Sequence, residues 1–223
     1  MIKVVVIGAG NVAQHLILAF QKAKEVQLIQ VLARNKNELT HLLDSDCITS
    51  NFSQLEEADL YIIAVNDKAI QDVSSQIPFE NKLVVHTSGS TDMSIIHSKN
   101  RKGVFYPLQT FSKAKQVDFN TIPIALESEN PTDYIILEKV AKAISNEVHQ
   151  INSVQRKALH VAAVFVCNFT NHLYQIGETI CEENQLSFDL LKPLILETAD
   201  KIQTLSPSEA QTGPAKRNDT TTI

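Results

Sequence analysis

Six residues near the start of the chain have the types and spacing to hold a phosphate. Gly8, Ala9, Gly10, Asn11, Val12 and Ala13 follow the apolar, β-branched run Ile2 to Ile7. Behind them Val12, Leu16, Ala19 and Phe20 recur at helical spacing. This is the G-x-G-x-x-A form of a dinucleotide-binding turn, set between a strand and a helix as its mechanism requires. Gly8 would permit the tight turn, and Gly10, without a Cβ, would let the backbone approach a pyrophosphate. The N–H groups of Asn11 and Val12 then face the phosphates at the positive end of the helix dipole. The open alternative is an ordinary strand-to-helix turn.

The second strand, Gln27 to Ala33, ends in Arg34-Asn35-Lys36, beside the expected adenosine ribose. An acid there would accept from a 2′-hydroxyl, whereas a guanidinium can grip a 2′-phosphate with two hydrogen bonds. No carboxylate appears until Glu38, so NADP(H) is expected over NAD(H), unless Arg34 is merely a solvated surface residue. Asn66 and Asp67 follow the strand Leu60 to Val65, and Thr87 and Ser88 follow Lys82 to His86. Tyr106 to Gln109 follow Gly103 to Tyr106. These polar loops belong at the carboxyl edge of a sheet, where such folds bind ligand. Asn66, Asp67, Thr87 and Ser88 are candidate ribose and nicotinamide contacts, and Gln109 a substrate contact.

The elements that must position these groups read in chain order. Short strands are expected at Cys47 to Thr49, Ile122 to Leu126 and Glu147 to Ile151, with helices at Asn37 to Leu43, Lys68 to Ile77 and Thr132 to Ile144. Strands alternating with helices imply an α/β, doubly wound, parallel sheet, assigned here to residues 1–151. No strand-like stretch follows Ile151, so residues 152–223 are read as all-α. One helical pattern runs from Ser153 to about Glu183, apolar on nearly every side between Ala158 and Phe169. Such a helix should be buried all round, and a second copy of the chain is the simplest cover. Ser187 to Leu205 is a further helix, with Ser187 a cap and Pro193 a kink or the true start.

His160, Asn168 and His172 fall at multiples of four along the long helix. They either satisfy local hydrogen bonds within a bundle or face the cofactor, His160 and Asn168 binding substrate or relaying a proton. Their spacing does not suit a metal, and no metal site is expected. The segment Thr212 to Asp219, rich in glycine, proline and charge, reads by composition as a loop.

Composition narrows the class. The chain has 223 residues, 43% hydrophobic and 20% charged, with a net charge of −5. That balance gives no basic field for nucleic acid or an anionic membrane. The three cysteines form no C-x-x-C pair, and Met1-Ile2-Lys3 runs straight into the first strand, so no leader is expected. A cytoplasmic protein is expected.

Four motifs taken together resemble a known family. They are His86-Thr87-Ser88-Gly89-Ser90, Tyr106-Pro107-Leu108-Gln109-Thr110-Phe111, His160 to Phe165 with Asn168, and Thr212 to Asp219. The chain resembles, over essentially its whole length, bacterial Rossmann-like proteins labelled NADP oxidoreductases, with a C-terminal helical domain of unassigned function. Pyrroline-5-carboxylate reductase, ketopantoate reductase, 3-hydroxyisobutyrate dehydrogenase and deazaflavin-dependent NADP reductases are more distant relatives. The resemblance implies a helical domain of the 6-phosphogluconate dehydrogenase type, a homodimer, and a cleft between domains. It also turns Gly213 to Asp219 into an ordered functional loop, with Arg217 a substrate contact. It implies further helix beyond the position of Ile223, so that the chain is expected to be truncated.

Two departures matter. Hydroxyacid dehydrogenases of that superfamily carry a Lys on the long helix with an Asn one turn later. Here His160 stands in for the Lys, Val164 follows one turn on, and Asn168 comes two turns on. The leading expectation is an NADP(H)-dependent oxidoreductase acting on a small carbonyl, imine or hydroxy acid, with His160 and Asn168 as catalytic groups. The alternative is a non-catalytic NADP(H)-binding regulator or assembly module.

Overall fold

The structure is a computed structural model and describes residues 1–213 and Lys216. Its organising element is an eight-stranded sheet with the order β3-β2-β1-β4-β5-β6-β7-β8. The strands are β1 (Ile2–Ile7), β2 (Val26–Leu32), β3 (Ile48–Thr49), β4 (Leu60–Ile63), β5 (Leu83–His86), β6 (Arg101–Pro107), β7 (Ile124–Ser128) and β8 (Val148–Gln150). Each falls on a stretch expected to be a strand. Neighbours pair in parallel except β6 and β7, which are antiparallel. The chain order reverses between β1 and β4, the switch point at which such sheets bind ligand.

The central strands are covered on both faces, which is why they read as unbroken β-branched and apolar runs rather than as alternation. Val4, Val6, Leu60, Ile62, Leu83 and Val85 join one core, with α1 (Asn11–Lys22) and α3 (Pro131–Lys142) over it. Val5, Ile7, Tyr61, Ile63 and Val84 join the other, under α2 (Ile70–Gln76). Asn130 caps α3 by accepting from the Asp133 N–H, with Pro131 at its first position as proline's fixed φ allows.

Two helical expectations need correction. Residues 37–43 form only a short 3-10 turn, Lys36–Glu38, closed by the Asn35 side chain and followed by irregular turns. With β3 starting at Ile48, there is little chain to grow a longer helix. The long pattern from Ser153 is α4 (Ser153–Ala163), a π-helical stretch (Val164–Phe169) and α5 (Thr170–Glu183). Wider turns there alter the register, so multiples of four no longer define one face across it. Within the single chain that stretch is left uncovered, Phe165 being 61% and Phe169 51% exposed.

Ser187 caps a 3-10 turn, Phe188–Leu191, which leads into α6 (Lys192–Thr204), so Pro193 marks a true helix start. A single turn, α7 (Pro207–Ala210), follows, capped reciprocally by Ser206 and Glu209. The fold divides into two compact units, residues 1–163 and 164–223.

Candidate functional site

The glycine turn is built as its chemistry requires. Gly8 has φ +140°, and a Cβ there would come 2.1 Å from the Ala64 carbonyl oxygen. Any side chain would separate the turn from the end of β4. The Gly8 N–H donates to the Leu32 oxygen at 2.9 Å, tying the turn to the end of β2. A Cβ on Gly10, by contrast, would meet nothing within 4 Å. Open space therefore lies over the first turn of α1, which carries no acidic residue and receives no side-chain cap from Gly10. N–H donors without a cap, a positive dipole end and room above them fit a pyrophosphate.

Around that turn, Gln14 Nε2 donates to the Ala9 oxygen at 3.0 Å and the Glu38 oxygen at 3.3 Å. It fixes the loop after β2 beside the glycine turn. Arg34 and Asn35 stand exposed in that loop. The Asn35 side chain accepts from the Asn37 N–H, and among the described residues Arg34 makes no ion pair. Asn11 Nδ2 donates to the Phe111 oxygen at 2.9 Å, drawing in the segment that follows β6. Val12 packs half-buried against the core.

The loops after β4 and β5 do converge. Ser90 Oγ donates to Asp67 Oδ2 at 2.7 Å, joining them directly. Asn66 accepts from the Lys68 N–H, and the Thr87 N–H donates to the Ile63 oxygen. The Ser88 hydroxyl is occupied within its own loop, donating to Thr91 Oγ1 at 2.9 Å and accepting from the Ser90 and Thr91 N–H groups. That use leaves Ser88 as the support of the loop's shape.

Beside this loop lies a pair that spans 54 residues of sequence. The Tyr106 hydroxyl, at the end of β6, is 3.2 Å from His160 Nδ1 on α4, and the two rings meet edge to face. Gly89 is wedged against both: a Cβ there would be 2.6 Å from His160 Nδ1 and 2.8 Å from the Tyr106 oxygen. Tyr106 and His160 are both half-buried. Gln109 Oε1 accepts from the Thr110 N–H, so that side chain closes its own turn. Asn168 is exposed on the π-helical stretch of the second unit. Arg217 and most of the Gly213 to Asp219 loop lie outside the described residues.

Sequence reasoning missed the groups that hold α4 in place. Arg156 is fully buried and pairs with Glu127 of β7, and it donates to the Thr91 oxygen and to Ser153 Oγ. Glu127 also accepts from the Ser153 N–H at 2.8 Å and its hydroxyl at 2.9 Å. The signal available was a lone acid within an apolar strand, which is rarely left unpaired when buried. His86 is buried beneath the same loop, and its Nδ1 accepts from the Ser88 N–H, so its proton sits on Nε2. Burial first, and the Arg156 charge second, push its pKa down to about 4. Among the described residues no group of His, Cys, Asp or Glu side chains is placed to hold a metal ion, and no helix is long and apolar enough to cross a membrane.

The switch-point glycine turn, the parallel-dominated sheet and the following helices define the class: a Rossmann-like fold of the NAD(P)-binding oxidoreductases. Residues 3–90 match the model for coenzyme F420-dependent NADP oxidoreductases, and residues 122–223 match a domain of unknown function, DUF2520. A Bacteroides fragilis protein provisionally assigned as an NADP oxidoreductase is 39% identical over 99% of this chain and 88% of its own, with a TM-score of 0.89. The chain belongs to that family. A Thermotoga maritima protein, 21% identical over 98% of this chain and 87% of its own, has the same fold at a TM-score of 0.81. Plasmodium falciparum pyrroline carboxylate reductase, solved with NADP bound, is 16% identical over 92% of this chain and 80% of its own, at a TM-score of 0.60. No curated protein matches the sequence. The family supports NADP(H) binding.

Proposed function

We propose that the chain is an NADP(H)-dependent oxidoreductase acting on a small carbonyl or imine, or on the corresponding hydroxy acid. Bound NADPH would supply a hydride, chemistry that belongs to the cofactor. The chain's share is to hold the phosphates at Gly8 to Val12, to grip the 2′-phosphate with Arg34, and to manage one proton. The observation that most supports this reading is the Tyr106 hydroxyl 3.2 Å from His160 Nδ1, beside the loop after β5. With Nδ1 protonated, the ring donates to the phenol oxygen and polarises the phenol toward giving its proton to a developing alkoxide or amine. His160 then restores order to the pair rather than replacing the missing lysine directly. Gln109, Asn168 and Arg217 remain candidates for orienting the substrate.

The exposed apolar side chains Val161, Phe165, Phe169 and Leu173 support a homodimer through the helical region. Absence of the superfamily's Lys–Asn pair favours the second reading, a non-catalytic NADP(H)-binding regulator.

Fluorescence titration with NADPH, followed by NADPH oxidation against a panel of small carbonyls and imines, separates the two. The oxidoreductase reading expects His160→Ala and Tyr106→Phe to keep NADPH affinity while oxidation falls about 10²–10⁴-fold, the range for a lost proton donor. Binding without oxidation of any compound favours the regulator. No binding at millimolar NADPH sinks both readings.

A further inference from the structure

The segment after β6 does more than connect two strands. Asn11 Nδ2 donates to the Phe111 oxygen at 2.9 Å, and His15 Nε2 lies 3.0 Å from the Ser112 oxygen. The Phe111 ring packs 5.0 Å from His15 and 5.9 Å from Phe119. The segment is therefore fastened along the first turns of α1, next to the glycine turn. Its next residue, Lys113, reaches across to the loop after β2, placing Nζ 3.6 Å from Glu38 Oε2.

Glu38 is the first carboxylate after Arg34, Asn35 and Lys36 in the loop that follows β2. Its backbone is held against α1 by Gln14, so it stands beside the expected adenosine subsite. Left alone, a carboxylate there would accept from the 2′-hydroxyl of NADH and repel the 2′-phosphate of NADPH. Paired with Lys113, it is neutralised.

We infer that Lys113 is a cofactor-specificity residue, masking Glu38 and adding a further cation beside Arg34 and Lys36 for the adenosine 2′-phosphate. The inference rests on the NADP(H) reading above. NADP preference is then set jointly by the end of β2 and by a segment some eighty residues later in the chain.

The test is a titration of NADPH and NADH against wild type, Lys113→Ala, Glu38→Gln and the double variant, with melting curves as a check on folding. Both substitutions sit on exposed side chains and should leave the melt unchanged. Lys113→Ala should weaken NADPH about three- to tenfold and tighten NADH, as expected for charge-assisted contacts at an exposed site. Glu38→Gln added to Lys113→Ala should recover part of the NADPH affinity and abolish the NADH gain. Equal effects on both nucleotides, or none, overturn the inference while leaving NADPH binding intact. Failure of the wild type to bind NADPH removes the cofactor reading itself, and the inference with it.

Discussion

The two units solve burial in opposite ways. In the first, β1, β4 and β5 are almost wholly buried, and Val4, Val5, Val6, Leu60, Ile62, Leu83 and Val85 have no exposed surface at all. In the second, Cys181 is the only buried residue among those described, while Phe165, Val166, Phe169, Leu173, Ile176 and Ile180 stand out from the helix surface. A sheet with helices on both faces closes its own core. A helix with apolar residues on several sides needs further surface to lie against. Stability should therefore reside in the first unit, and association in the second.

That contrast can be tested with matched truncations. The largest effect should come from the clamp under α4. Glu127→Gln leaves the fully buried Arg156 charge without its partner and should cost about 3–5 kcal/mol in a denaturant melt. Phe105→Ala, at a side chain with no exposed surface, belongs in the same range of about 3–5 kcal/mol. A milder outcome for either would mean that the sheet unit is less tightly closed than its burial implies.

Acidification should act on the first unit through His86. Its folded pKa of about 4 lies below the ordinary 6.5, so between those values the unfolded chain takes up a proton that the folded chain refuses. Stability is present above pH 6.5 and is lost as pH falls toward 4, by up to about 3 kcal/mol at 1.36 kcal/mol per unit. His86→Leu should flatten that part of a pH series of melts. A variant with the same slope as wild type would assign the acid sensitivity elsewhere.

The smallest change in stability is expected from Phe169→Ala, about 0.5 kcal/mol in a dilute, monomeric sample. The same variant should weaken self-association in sedimentation experiments if a second copy covers the helix. A large loss of stability at low concentration would instead mean that this face is already packed within the chain.

Most of the sheet could be read directly because its signal is local. All eight strands fall on stretches readable as strands, most of them short apolar runs, and the glycine turn carries its own φ requirement. The reversal at β7 left no such trace, since a strand's direction relative to its neighbour is settled by pairing partners and not by its composition. Likewise the π-helical stretch has the same residue types as a regular helix. In the candidate site, Gly8 to Val12 are legible as a turn motif, whereas Tyr106 with His160, and Glu127 with Arg156, are partnerships across distant segments. The hydroxyl of Ser88 is a ligand candidate by type and position, and the three hydrogen bonds it makes within its own loop have no trace in the sequence.

The antiparallel turn from β6 into β7 has a metric consequence. Glu127 lies opposite Val104, and it fastens Arg156 of α4 at that level. Tyr106 stands two residues farther along β6, about 6.6 Å at the rise of a strand. His160 stands four residues farther along α4, about 6 Å at the rise of a helix. Strand and helix thus act as two rulers with a common origin, and their marks coincide at the phenol and the imidazole. An inserted residue between Arg156 and His160 would swing the ring about 100° around the helix, even if every other contact survived.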